Sequence, residues 1–195
     1  MKQRNVVSDK DGLPGGHVFR LWSVHDVFGK LHREKQRFES AGSGFEGLRN
    51  QIDAAINFAI TAWHMTDWAC RWKEKEQFNK DKLHRFQCEV RRQCPDLAVC
   101  DVIANAAKHG GTADMKGNRP EIKTVLVADP VAEGALGVEL YAEGADPEWS
   151  LQIHVNGKPE DLHAVFYRVF GFWHKFIQHY CVTKRASERG VLVEK

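Results

Sequence analysis

The stretch Leu48-Arg-Asn-Gln-Ile52-Asp-Ala-Ala55-Ile56-Asn-Phe-Ala59-Ile-Thr-Ala62-Trp63 decides how the chain folds. Leu48, Ile52, Ala55, Ile56, Ala59, Ala62 and Trp63 recur every three or four positions, the period of a helix that lays one broad apolar stripe against a core. The densest part, from Ala54 to Ala62, is interrupted by Asn57 and is far shorter than the roughly 20 apolar residues a bilayer crossing needs. It therefore predicts one long helix, from Phe45 to about Lys75, entered through the turn Ala41-Gly42-Ser43-Gly44.

Working outward, the same period appears on both sides. Phe19, Trp22, Val27, Phe28, Leu31 and Phe38 predict an amphipathic helix from His17 to Glu39. Leu83, Phe86 and Val90 predict a third helix, capped by Asn79 or Asp81 and stopped before Pro95, because proline disfavours helical geometry in its predecessor. Asp96 can cap a fourth helix from Leu97 to His109, with Gly110-Gly111 as its exit. The period then shortens to two. Ile122 to Ala128, Gly137 to Ala142 and Trp149 to Val155 predict a three-stranded antiparallel meander, one face of which must pack on the helices because a lone sheet of this size is marginal in water. After the turn Asn156-Gly157, Pro159 suits a first helical turn with Glu160 and Asp161 at the positive end of the dipole. A last helix to about Thr183 carries Leu162, Val165, Phe166, Val169, Phe170, Trp173, Phe176, Ile177 and Tyr180 on a wide apolar face.

The expected architecture is mainly α (α+β): a bundle of about five helices with the meander inserted at about 120–156, before the last helix. Residues 17–183 form one domain, 1–16 a polar leader with Gly12, Pro14, Gly15 and Gly16, and 184–195 a charged tail. A length of 195 residues suits a single core, and 43% hydrophobic with 10% aromatic content is enough apolar surface to offset the chain entropy of folding. No charged segment leads into an apolar one at the start, so a cytoplasmic protein away from membranes is expected. A net charge of +2 neither requires nor forbids a polyanionic partner.

Cys70, Cys88, Cys94, Cys100 and Cys181 form no C-x-x-C pair and read as reduced thiols filling apolar positions. Neither G-x-x-x-x-G-K-[ST] nor G-x-S-x-G occurs, which disfavours nucleotide hydrolysis and serine-hydrolase chemistry. Trp68, Trp72, Trp149 and Trp173 suit core positions, and His163, His174 and His179 read as surface or core-edge residues. Lys30, His32, Arg33, Lys35 and Arg37 form a basic patch that could touch phosphates or simply be a solvated helix face.

Polar residues concentrate in two helices. In Asp101-Val-Ile-Ala-Asn105-Ala-Ala-Lys108-His109, Asp101, Asn105 and His109 are spaced by four and share one face. In Ala62-Trp-His64-Met-Thr-Asp67-Trp68, His64 and Asp67 share another. If the two helices are neighbours, these five side chains can converge in a polar seam whose hydrogen bonds must be satisfied, since each unpaired buried group costs about 1–3 kcal/mol. Such a seam could be catalytic or could merely set helix register, with Asp67 paired to His109 and Asn105 bonded to a carbonyl.

The segment Asn105-Ala-Ala-Lys108-His109 resembles the R-N-x-x-x-H signature of the HEPN superfamily, helical-bundle proteins that include ribonuclease toxins, RNA-processing factors and antiphage effectors. Asn105 and His109 match the motif, and Ala104 stands where the motif has Arg. In members that cleave RNA, the His and Arg act together at a symmetric dimer interface without metal. The resemblance thus implies a homodimer, RNA or a nucleotide as ligand, no cofactor, and a role in RNA-related or phage-defence biology. The segments around Trp63 to Trp68 and Asp101 to His109 with the β insert are also similar to bacterial and phage proteins of this length.

With Ala104 in place of Arg, the expected function is a binding or regulatory module, with His64, Asp67 and Asp101 as binding residues. The alternative is a metal-independent endoribonuclease in which His109 takes the 2′-hydroxyl proton and Lys108 stabilises the phosphorane, with Asn105 beside them. An arginine from elsewhere, with Arg71, Arg91 and Arg92 as candidates, would restore the missing group. A third reading is a metal-binding bundle using His64, Asp67, Asp101 and His109, though the motifs of zincins and di-iron bundles are absent.

Overall fold

The computed structural model describes residues 21, 23–42, 44–109, 119–129 and 148–188; within these, the side chains of 45, 125–129, 148–150 and 180–188 lie outside the description. Among the described residues there are five α-helices and one three-stranded antiparallel sheet that precedes the last helix. The expected leader, Gly110-Gly111, the segment Gly137 to Ala142, Cys181 and the end of the tail fall outside that description.

Helix α1 spans Val24–Glu39 and begins later than the periodicity suggests, because Ser23 adopts extended geometry and caps it. The Ser23 hydroxyl accepts from the Asp26 amide and donates to the Asp26 carboxylate, so both ends of the first turn are satisfied. Helix α2, Gly44–Glu74, is about 47 Å long at 1.5 Å per residue and is the spine of the bundle, packing on every other helix and on the sheet. A Cβ built on Gly47 would lie 1.8 Å from the Gly42 carbonyl oxygen, so only glycine lets the preceding turn fold back on the helix. After a 3-10 turn at Lys75–Gln77, Asn79 Oδ1 accepts from the Lys82 amide and caps α3, Lys80–Gln93. Cys94, the residue before Pro95, is extended and ends it.

Helix α4 spans Asp96–His109. Asp96 lies in its first turn and its carboxylate is held by Arg168 of the last helix, so it acts as a tether between helices and not as the expected cap.

The sheet is a three-stranded antiparallel meander, as expected, with one strand placed differently. Strands β1 (Ile122–Asp129) and β2 (Glu148–Val155) pair in continuous antiparallel register from Ile122 opposite Val155 to Asp129 opposite Glu148. The third strand, β3, is Lys158–Glu160, immediately after β2. Asn156 and Gly157 have φ of 52° and 77°, the left-handed pair a tight two-residue hairpin requires, so the chain turns straight back and Pro159 and Glu160 join the sheet edge. The last helix, α5, therefore starts at Leu162, with Asp161 Oδ1 accepting from the His163 amide, and runs to Glu188 instead of stopping near Thr183.

Leu151, Ile153 and Val155 face the helices and Ile153 is buried, so one face of the sheet packs against α2 and α5 as expected. The core is continuous from Val24, Leu31 and Phe38 of α1 through Phe58, Ala62 and Met65 of α2 to Phe166, Val169 and Trp173 of α5. Phe58 and Phe166 stack at 4.1 Å between ring centres, and the buried Trp173 indole donates to the Ala62 carbonyl at 3.1 Å. Trp68 and Trp72 pack against the edge of this core. Cys70, Cys94 and Cys100 are buried free thiols, as expected, and Cys88 is half-buried. No helix among the described residues is long and apolar enough to cross a membrane.

Candidate functional site

Asp101 sits in the middle of α4 with Cys100 and Val102 buried on either side of it, and is itself 0% exposed. A carboxylate taken fully out of water needs both a counter-charge and hydrogen-bond donors. Three side chains supply them. Arg91, from the last turn of α3, donates Nη1 to Oδ2 at 3.1 Å. Arg119, just before β1, donates Nε to Oδ2 at 2.8 Å and Nη2 to Oδ1 at 3.4 Å. Asn105, one turn along α4, donates Nδ2 to Oδ1 at 2.6 Å and also reaches the Asp101 carbonyl at 2.8 Å.

The arrangement is held from behind. Arg91 also donates Nε to the Gln87 carbonyl and Nη2 to the Cys88 sulfur, and its guanidinium lies 5.5 Å from the centre of the Trp63 ring on α2. Gln87 in turn donates to the buried Thr66 hydroxyl, which is satisfied by the Trp63 carbonyl. Two guanidinium groups thus converge on one carboxylate at the junction of α2, α3, α4 and the start of the sheet. Both arginines keep about a quarter of their side-chain surface in solvent.

The predicted site residues divide into two groups. Asp101 and Asn105 are brought together, and Lys108 and His109 follow in the last turn of the same helix, both exposed. His64 and Asp67 are not brought to them, although α2 and α4 are packed neighbours. His64 is exposed, and Asp67 is half-buried with its electrostatic neighbours His64 and Arg71 on its own helix. Burial raises the Asp67 carboxyl above its ordinary 3.8, opposed by those two positive neighbours. Among the described residues neither His64 nor Asp67 is hydrogen-bonded or ion-paired to α4, so Asp67 does not pair with His109.

Ala104 is buried, which explains the missing motif arginine in terms of this fold: a guanidinium at that position would face the core. Of the three arginines named from sequence as replacements, Arg91 reaches the cluster. Arg71 lies 4.0 Å from the centre of the Phe78 ring and Arg92 pairs with Glu89. Arg119 was not anticipated. The only signal for it was Asp101 itself, an acidic residue on an apolar helix that must find cations from somewhere.

Among the described residues no three His, Cys, Asp or Glu side chains gather as metal donors do, and the oxygens of Asp101 are occupied by arginines and Asn105, so the metal-binding reading gains no support. Compared with protein-family models, with curated proteins and with solved structures, the chain gives no match.

Proposed function

We propose that this chain is a HEPN-like helical-bundle module, acting as a homodimer, that binds the phosphate backbone of RNA along the face of α4 carrying Asp101, Asn105, Lys108 and His109. The observation that carries this reading is the pairing of Arg91 and Arg119 with the single buried carboxylate of Asp101. Both guanidinium groups keep part of their surface in solvent, and the exposed Lys108 and His109 lie further along the same helix. Phosphate contacts of this kind position a nucleic acid without reading its sequence. A binding role is favoured over cleavage because Ala104 stands where the RNA-cleaving members of the resembled superfamily carry arginine.

A second reading, metal-independent endoribonuclease activity centred on His109, is favoured by one specific observation. Arg91 and Arg119 bring guanidinium groups to the helix that lacks the motif arginine, and a guanidinium fork can grip a phosphate bidentately where Lys108 cannot. One experiment separates the two. Labelled single-stranded RNA is incubated with the protein in the presence of a chelator, and both retention and chain length are measured. Retention without shortening, weakened in K108E and H109A, supports the module. Shortening that disappears in H109A establishes the nuclease instead, and a parent protein that neither retains nor shortens the RNA removes both.

A further inference from the structure

Five residues, Lys75 to Asn79, carry the chain from the end of α2 into α3. Lys75 takes φ of 48°, in the left-handed region where a Cβ crowds the following carbonyl. Among the described residues Asn156 is the other non-glycine with positive φ, and it occupies a hairpin turn that requires one. Glycine is the usual residue for a reversal between helices, yet Leu48 to Cys94 contains neither glycine nor proline. The joint is built instead from helix formers, Glu74, Lys75, Glu76, Gln77 and Lys80, with Glu76 and Lys80 at the four-residue spacing that supports a helix. A 3-10 stretch set inside such a run marks a hinge.

The helical period also runs straight through the joint. Met65, Trp72, Leu83 and Val90 are separated by 7, 11 and 7 residues, each close to a whole number of turns of 3.6. The apolar residues of α2 and α3 are therefore in phase, as those of one helix would be. Lys75, Glu76, Gln77 and Asn79 are exposed, so a helix running through them buries no charge. What keeps the joint closed lies near the surface: Lys82 Nζ donates to Glu74 at 2.7 Å and to Gln77 at 3.0 Å, Asn79 caps α3, and the Arg71 guanidinium lies over the Phe78 ring. Helix α3 has Val90 as its one fully buried residue.

We infer that two copies of this chain exchange halves at this joint, with α2 and α3 fused into one helix from Gly44 to Gln93 and α4, the sheet and α5 packed on α1 and α2 of the other copy. Each contact between the halves then returns between copies, including the stack of Phe58 on Phe166 and the hydrogen bonds from Trp173 to Ala62 and from Gln87 to Thr66. The Asp101 cluster stays within one chain, because Arg91, Asn105 and Arg119 all follow the joint. The two forms differ at the joint alone. The left-handed Lys75 of each closed chain favours exchange, and the entropy lost on association opposes it; a short connection under strain is the condition under which such exchange occurs. The inference rests on the homodimer reading above and supplies the interface of that dimer.

The test mixes equal amounts of unlabelled and 15N-labelled full chain in urea, refolds them together at high protein concentration and sizes the product by gel filtration with light scattering. The dimer fraction is then treated with an amine crosslinker that joins Lys30 or Lys35 of α1 to Lys175 of α5. Exchange predicts that about half of these crosslinks pair a light peptide with a heavy one, because α1 and α5 in contact then belong to different copies. Lys75→Gly relieves the closed joint and should lower the dimer association constant about fivefold or more, whereas Asn79→Ala removes a cap that the closed form alone needs and should raise it about as much. Opposite shifts are not what two variants that merely loosen the fold would give. A dimer whose crosslinked peptides always carry the same label meets through another face: the exchange is then wrong and the homodimer stands. A dimer fraction unmoved by both variants also overturns the exchange. A parent that stays monomeric at every concentration removes both readings.

Discussion

Arg119 Nε lies 2.8 Å from Asp101 Oδ2, and this contact ties the entry to the sheet onto the middle of α4. The carboxylate it reaches has no solvent exposure, so the geometry of the sheet entry and the satisfaction of a buried charge are one event.

Removing that carboxylate should be far more damaging than removing either cation alone. Asp101→Ala removes the carboxylate on which both guanidinium groups converge, and a loss of about 3–5 kcal/mol is expected. Arg119→Ala leaves Asp101 with Arg91 and Asn105 and should cost clearly less. Urea unfolding of the two variants compares them directly; equal losses would mean that Arg91 and Asn105 do not sustain the charge by themselves.

At Gly47 the argument is steric. An added methyl would overlap the Gly42 carbonyl, which is backbone and cannot rotate away, so Gly47→Ala should lower the melting temperature even though alanine is the better helix former. An unchanged or higher melting temperature would show that the 41–44 turn moves aside freely.

Trp173 combines full burial with a directed hydrogen bond to Ala62. Trp173→Phe removes the donor and leaves that carbonyl with its helical partner only, for an expected loss of about 1–2 kcal/mol. Trp173→Ala opens a cavity as well and should lose about 3–5 kcal/mol. Thermal melts in which the two variants match would indicate that the surrounding helices collapse into the space.

Asp67 predicts a pH effect with a definite sign. Burial raises its carboxyl in the folded chain above the ordinary 3.8, so between that value and the raised one the native state holds the proton that the unfolded state has released. Stability therefore falls as pH rises through that window, and the cost persists above it. Asp67→Asn should be more stable than the parent at pH 7, with the advantage fading as pH falls through that window and gone below about 3.8. An advantage that grew on acidification would reverse the assignment.

Thiol accessibility follows burial. Cys70, Cys94 and Cys100 are buried, and desolvation raises all three thiols, Cys100 well above its ordinary value. Alkylation of the folded protein at neutral pH should mark Cys88 ahead of these three, and peptide mapping that finds Cys100 modified first would contradict the packing.

Most of the helical frame was legible in the sequence because its signals are local. Apolar spacing placed α2 to within a residue or so, Asn79 and Asp81 bracketed the start of α3, where Asn79 is the cap, and the proline after Cys94 announced its end. The start of α1 was misread because Phe19 and Trp22 continue the helical spacing past Ser23, where the cap hydrogen bond ends the helix. The third strand was misread because Pro159 reads as a helix opener, whereas the Asn156-Gly157 turn forces the chain back along β2 before α5 can begin. Within the site, the four-residue step from Asp101 to Asn105 was visible, and their hydrogen bond follows from helix geometry alone.

By itself, then, the amino-acid order determined a mainly helical bundle with a small antiparallel sheet ahead of its last helix, since periodicity, caps and turn residues act over a few positions. Only the tertiary structure decided which cations serve Asp101, because Arg91 and Arg119 come from another helix and from the approach to a strand, and no periodicity links them to it. It also turned His64 outward and made Ala104 a core residue, outcomes set by the way α4 is rotated against α2 and its other neighbours. Charges buried between elements are paired by the packing of those elements, and that packing is a property of the whole chain.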